Sequence, residues 1–82
     1  MTEQDILSGI AEIVEEITGI AAARVTPEQS FANDLDIDSL SMVEIATAAE
    51  DRFGVNIPDS AIDDLKTVGD AVAYIAKAGV PA

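Results

Sequence analysis

Apolar residues fall along this chain at helical spacing far more often than in alternation. Ile6, Ile10, Ile13, Val14 and Ile17 recur three, four or seven apart, with Glu12, Glu15 and Glu16 on the other side. That stretch predicts an amphipathic helix. Thr2 stands where a cap is needed, with Asp5 three residues later as the second half of a capping box, and Gly19 is a natural stop. A second helix is expected from about Ser39 to Phe53, capped by Asp38 and closed by Gly54. A short one is expected from Asp59 to about Leu65, after the turn Asn56-Ile57-Pro58-Asp59. The last begins at Thr67-Val68-Gly69-Asp70, a threonine cap followed by an acid, and turns Val68, Ala71, Val72 and Ile75 to one face. Gly79 and Pro81 should end it.

Residues 19 to 37 form a long connection, of a length that is uncommon in compact domains and often functional. Within it Thr26-Pro27-Glu28-Gln29 carries the signals of one short helical turn. Phe31 and Leu35 are expected to anchor it to the core. No internal repeat, low-complexity segment or convincing strand interrupts the pattern. The expected fold is all-α, a small four-helix bundle of three longer helices and one short one, with the long loop between the first two. With 82 residues, the whole of 1–82 is expected to be one domain.

The second helix has more apolar surface than one core face requires. At about 100° per residue, Met42, Ala46, Ala49 and Phe53 gather on one side, with Ile45 at the edge. Leu40, Val43 and Thr47 gather opposite, rimmed by Glu44, Glu50 and Asp51. Two readings of that second stripe are open: a docking surface, or a satellite of the core that covers the long loop.

Charge narrows the partners. Sixteen acids face four bases, a net of −12, and the excess concentrates between Asp34 and Asp64, where Arg52 is the one base before the acids end. Such a surface is repelled by nucleic acid and anionic membranes and attracted to basic protein surfaces. No apolar run is long enough for a membrane span or a signal-peptide core. The chain has no cysteine, which excludes disulfides and thiolate metal sites and is compatible with a cytoplasmic location.

Candidate chemistry centres on Ser39. The chain has no histidine, and nothing places Lys66 or Lys77 beside a serine, so a nucleophilic serine lacks its base. Asp34, Asp36 and Asp38 have the spacing that opens a calcium loop, but its glycine position is Ser39 and its final glutamate position is Ile45. No metal site of that type is expected; weak divalent attraction to the acids is. With Asp38 as the cap, Ser39 is left free at a helix start, where backbone N–H groups and the helix dipole favour an attached phosphate. Ser8, Ser30, Ser41 and Ser60 lack this combination.

The run from Asp34 to Glu44, with Asp38-Ser39-Leu40 at its centre, resembles the phosphopantetheine attachment site of acyl carrier proteins. Phe53-Gly54-Val55-Asn56-Ile57-Pro58-Asp59 looks like that family's segment between its second and third helices. Thr67-Val68-Gly69-Asp70 with Tyr74-Ile75 looks like its last helix. The run is most similar to carriers of actinobacterial type II fatty acid synthases, including the meromycolate carriers, whose long C-terminal extension is expected to be absent. Asp36 departs from the pattern, since many members have glycine there.

The resemblance implies that a transferase moves 4′-phosphopantetheine from coenzyme A to Ser39, and that acyl groups ride on its thiol as thioesters and can fold back into the bundle. It implies a carrier and not an enzyme, a monomer, with no membrane insertion. It places partner docking at Asp38, Leu40, Val43, Glu44, Thr47, Glu50, Asp51 and Ile57. The missing cysteine is then unsurprising, because the working thiol comes with the cofactor. Fatty acid synthesis is the favoured pathway. A carrier for polyketides or another acyl pathway, and a cofactor-free interaction bundle, are the alternatives.

Overall fold

The structure, a computed structural model, describes residues 2–78. Helix α1 spans Glu3–Thr18, α2 Ser39–Phe53, α3 Asp59–Ile62 and α4 Val68–Lys77, and a 3-10 turn covers Ala22–Arg24. No strand forms among the described residues. The expected stop at Gly79 and Pro81 lies outside them.

Local chemistry sets the helix ends. Thr2 and Asp5 exchange hydrogen bonds in a full capping box, as do Thr67 and Asp70 at α4. Gly19 and Gly54 close α1 and α2 in the left-handed conformation, φ 84° and 67°. Asp38 caps α2, its carboxylate accepting from the Ser41 N–H at 2.8 Å.

The core lies where α1, α2 and α4 meet. Ile6, Ile10, Val14, Val68 and Ile75 are fully buried there, and Phe31 and Leu35 reach it from the long loop as expected. On α2 the buried centre is Ile45, Ala46 and Ala49. Ile45 is therefore inside the core and not at its edge. Met42 and Phe53 are half-buried, because Met42 borders an open cleft and Phe53 lies across Gly9 at the end of the α1–α2 contact.

Two segments differ from expectation. Thr26–Gln29 is a turn and not a helix. The Gln29 side chain does reach back to the Thr26 N–H at 2.8 Å, but the carbonyls of Pro27 and Gln29 accept from the N–H groups of Gly69 and Val68. The loop is thereby strapped to the start of α4, with Ser30 and Thr67 paired in one antiparallel bridge. Helix α3 stops at Ile62, and its cap is Pro58, which offers no side-chain hydrogen bond; Asp59 sits inside the first turn. The chain then turns so that Leu65 is buried.

Candidate functional site

The segment ahead of α2 is built by its aspartates, each in a different way. Asp34 accepts from the Ser30 N–H at 2.7 Å while Ser30 Oγ accepts from the Asn33 N–H at 2.8 Å, which closes the 30–34 turn. Asp36 adopts φ +55°, the one left-handed non-glycine among the described residues. That conformation is natural for glycine and tolerated by aspartate, which accounts for glycine at this place in the resembled pattern. Asp38 caps. The D-x-D-x-D spacing thus serves backbone geometry, and among the described residues no three donor side chains converge to hold a metal ion.

Ser39 is the first helical residue of α2 and is exposed. Its hydroxyl has no hydrogen-bond partner among the described residues. The N–H groups of Ser39 and Leu40 belong to the first helical turn and have no intrahelical acceptor, so they face a substituent on the Ser39 oxygen with the positive end of the helix dipole. The Asp38 carboxyl is held below its ordinary value, chiefly by the Ser41 backbone N–H and then by the Ser41 hydroxyl. It is an anion at neutral pH, immediately before the serine.

Ser39 also lines a cleft of about 470 Å³ between the long loop, the start of α2 and α3, with Phe31, Ile37, Met42, Ile62 and Leu65 as its apolar wall. Phe31, Met42 and Leu65 line a second, small void of about 20 Å³ inside the core as well, together with Ala46, Ala49 and Ala71. The cleft beside the serine and the void in the bundle therefore share walls. Of the loop residues of this cleft the sequence marks Phe31, as a core anchor; for the others the unusual length of the 19–37 connection is the available signal.

The outer face of α2 is bare. Leu40 is 70% exposed and Val43 44%, the two large exposed hydrophobics of the described chain. Leu40 stands clear of the loop, whereas Val43 also borders the cleft that the loop helps to line. Glu44, Thr47 and Asp51 are exposed beside them, with the Thr47 hydroxyl donating to the Val43 carbonyl at 2.9 Å. Arg52 is turned away into an ion pair with Glu12 on α1, 2.7 Å long, leaving this face its acids unopposed. Two residues of the expected docking set stand elsewhere. Ile57 is 5% exposed and packed in the core. Glu50 is half-buried and accepts from the Ile57 N–H at 2.6 Å.

A helical scaffold that presents an exposed serine at the start of a long helix, on the wall of an apolar cleft, has the form of a carrier, a protein that holds an attached group and offers it to others. The chain matches the family described as "Phosphopantetheine attachment site" over residues 8–75. It is 64% identical over 76 residues to the acyl carrier protein of Thermobifida fusca, covering 93% of this chain and 96% of that one. It is 61% identical over 77 residues to the meromycolate extension acyl carrier protein of Mycobacterium tuberculosis, covering 94% of this chain and 67% of that one. The fold matches the solved structure of the acyl carrier protein from Enterococcus faecalis with TM-score 0.79 and 35% identity, covering 96% of this chain and all of the other. The chain belongs to the acyl carrier protein family, whose members bear 4′-phosphopantetheine and are carriers, not enzymes. No helix among the described residues is long and apolar enough to cross a membrane.

Proposed function

We propose that the Ser39 hydroxyl is where 4′-phosphopantetheine is attached, and that the chain carries fatty acyl groups between the enzymes of type II fatty acid synthesis. The observation that carries this reading is the exposed, unpartnered Ser39 hydroxyl at the start of α2, on the wall of an apolar cleft that shares residues with a void in the core. The prosthetic group supplies the thiol on which acyl chains are held as thioesters. Attachment joins the Ser39 oxygen to the phosphorus of the phosphopantetheine group as the bond to the nucleotide part of coenzyme A breaks. The serine proton leaves to a general base as the new bond forms. The N–H groups of the first turn of α2 stabilise the resulting phosphodiester. Phe31, Met42 and Leu65 give a hydrocarbon chain a lining that leads inward, where burial of each methylene is favourable by roughly 0.8 kcal/mol.

Docking uses the outer face of α2: Asp38, Leu40, Val43, Glu44, Thr47 and Asp51, an apolar strip within an acidic rim. Such a surface suits basic patches on many enzymes in turn, because rim charges speed encounter without demanding a tight complex. The working unit is one domain over 1–82, a cytoplasmic monomer. The test is intact mass after expression with a phosphopantetheinyl transferase. The wild type should gain one phosphopantetheine and Ser39→Ala none; modification of Ser39→Ala, or an unmodified wild type, overturns the assignment. The acyl groups found on the protein from its own cells separate fatty acyl from polyketide loading.

A further inference from the structure

One peptide unit, between Asn56 and Ile57, is held from both edges. Its N–H donates to Glu50 Oε2 of α2 at 2.6 Å. Its carbonyl accepts from the Tyr74 hydroxyl of α4 at 3.0 Å. We infer that Glu50 is a positioning residue that latches the connection between α2 and α3, and that a cationic group docking on α2 releases the latch and loosens the α3 wall of the cleft. The docking half of this inference rests on the function proposed above.

The latch matters because α3 itself packs on the core only through Ala61 and Ile62, both partly buried. It is four residues long and has no side-chain cap. Among the helices its main partner is α2. What fixes its start is the preceding segment, where Ile57 is buried, lining the core void with Ala46, Ala49 and Leu65, and Pro58 follows directly. The clamped peptide sets the position of Ile57, and Ile57 sets the entry of α3. Asp59, Ser60 and Ile62 then form one wall of the cleft beside Ser39. The long-loop wall is different in kind, since backbone hydrogen bonds from Phe31 to Lys66 and from Val68 to Gln29 strap it down. Of the two walls, α3 is the one whose entry is gripped by side chains, the Glu50 carboxylate and the Tyr74 hydroxyl.

That carboxylate lies next to the docking face. Glu50 follows Thr47 by one turn and precedes Asp51, both exposed. The nearest base in sequence, Arg52, is already committed to Glu12. An arriving guanidinium offers up to five donors in a fork that suits a carboxylate, and competes with the single amide donor of Ile57. Partner engagement and cleft opening then draw on the same two oxygens.

Amide hydrogen exchange on the unmodified chain tests the inference. Glu50→Ala should speed exchange at Ile57 and through residues 59–62 on the order of tenfold, with α1 unchanged, as expected for local opening. Tyr74→Phe removes the other grip without touching α2 and should act in the same direction on the same amides. Adding the transferase without coenzyme A to the wild type should also speed exchange at Ile57. In Glu50→Gln, which keeps an acceptor but no charge, it should have no such effect. Ile57 exchange within about twofold of wild type in Glu50→Ala overturns the latch. A chain that is modified at Ser39, yet keeps full Ile57 protection with the transferase bound, overturns the coupling. Loss of Ser39 modification alone strikes only the proposed function, because the Glu50→Ala and Tyr74→Phe comparisons need no transferase.

Discussion

Gly9 and Phe53 meet so closely that a Cβ on Gly9 would stand 2.5 Å from Cζ of the Phe53 ring. The contact sits where α1 crosses the last turn of α2, beside the Glu12–Arg52 ion pair. That pair is about half exposed at both ends and contributes roughly 0–1 kcal/mol. Packing, not charge, fixes this crossing.

Gly9→Ala should therefore destabilise, although alanine favours a helix interior by about 1 kcal/mol over glycine. The ring must swing outward, and overpacking of this kind costs about 1–3 kcal/mol. In a Phe53→Leu background the obstructing atom is gone, and the same Gly9→Ala change should become stabilising. Urea unfolding of the four proteins in the cycle checks this. A Gly9→Ala effect of the same sign and size in both backgrounds would show that the ring is not the obstacle.

Asp36 tests the left-handed backbone ahead of α2. Asp36→Ala should lose about 1 kcal/mol, since aspartate enters the left-handed region more readily than alanine. Asp36→Gly should be the most stable of the three. It relieves the φ +55° backbone and one of the clustered charges, against about 0.4–1 kcal/mol of extra freedom in the unfolded chain. Urea midpoints at constant slope should rank Gly above Asp above Ala. Alanine equal to glycine would mean that this residue is not held left-handed in solution.

What the sequence disclosed divides along the range of the forces involved. Thr2, Gly19, Asp38, Gly54 and Thr67 act on their own neighbours, and the expected ends of α1 and α2 and the start of α4 follow from them. Ser39 was legible for the same reason, since a capped helix start is a local feature. Thr26–Gln29 has equally good local signals, yet Val68 and Gly69, some forty residues away, claim its carbonyls. The Ala22–Arg24 turn has no composition signal at all. The place of Ile57 and Glu50 was hidden because an exposed acid and a turn isoleucine look alike whether free or latched. Only the approach of α4, bringing the Tyr74 hydroxyl to the Asn56 carbonyl, distinguishes them.

Charge reversal on α2 separates docking from folding. Glu44→Lys and Asp51→Lys alter exposed side chains without hydrogen-bond partners among the described residues, so stability should move by no more than about 0.5 kcal/mol. Transfer of phosphopantetheine should slow at low salt, because rim charges act mainly on the rate of encounter. Added salt should bring wild type and variants together, since screening shortens to about 8 Å at physiological ionic strength. Variants that lose the same fraction of activity at every salt concentration would point to direct contacts instead of steering.

The pH response of α2 follows from Asp38. Its carboxyl titrates lower in the folded chain than in the unfolded one, because the ionised form accepts from Ser41. A depressed folded pKa gives stability that is complete above the unfolded value and disappears as pH falls through the folded one. The cap of α2 should thus be intact from neutral pH down to about 4 and fail below that. Opposing it, a net charge of −12 strains the compact state, and this strain eases with salt or magnesium. The two effects separate by condition. Millimolar magnesium at pH 7 should raise the thermal midpoint in wild type and in Asp38→Asn alike, because screening does not depend on the cap. Acidification from pH 5 to pH 3 should cost the wild type more stability than Asp38→Asn, whose cap accepts the same amide without a proton to gain. Parallel curves for the two proteins over that interval would remove Asp38 as the source of acid sensitivity. A midpoint indifferent to magnesium would remove self-repulsion as a limit on this fold.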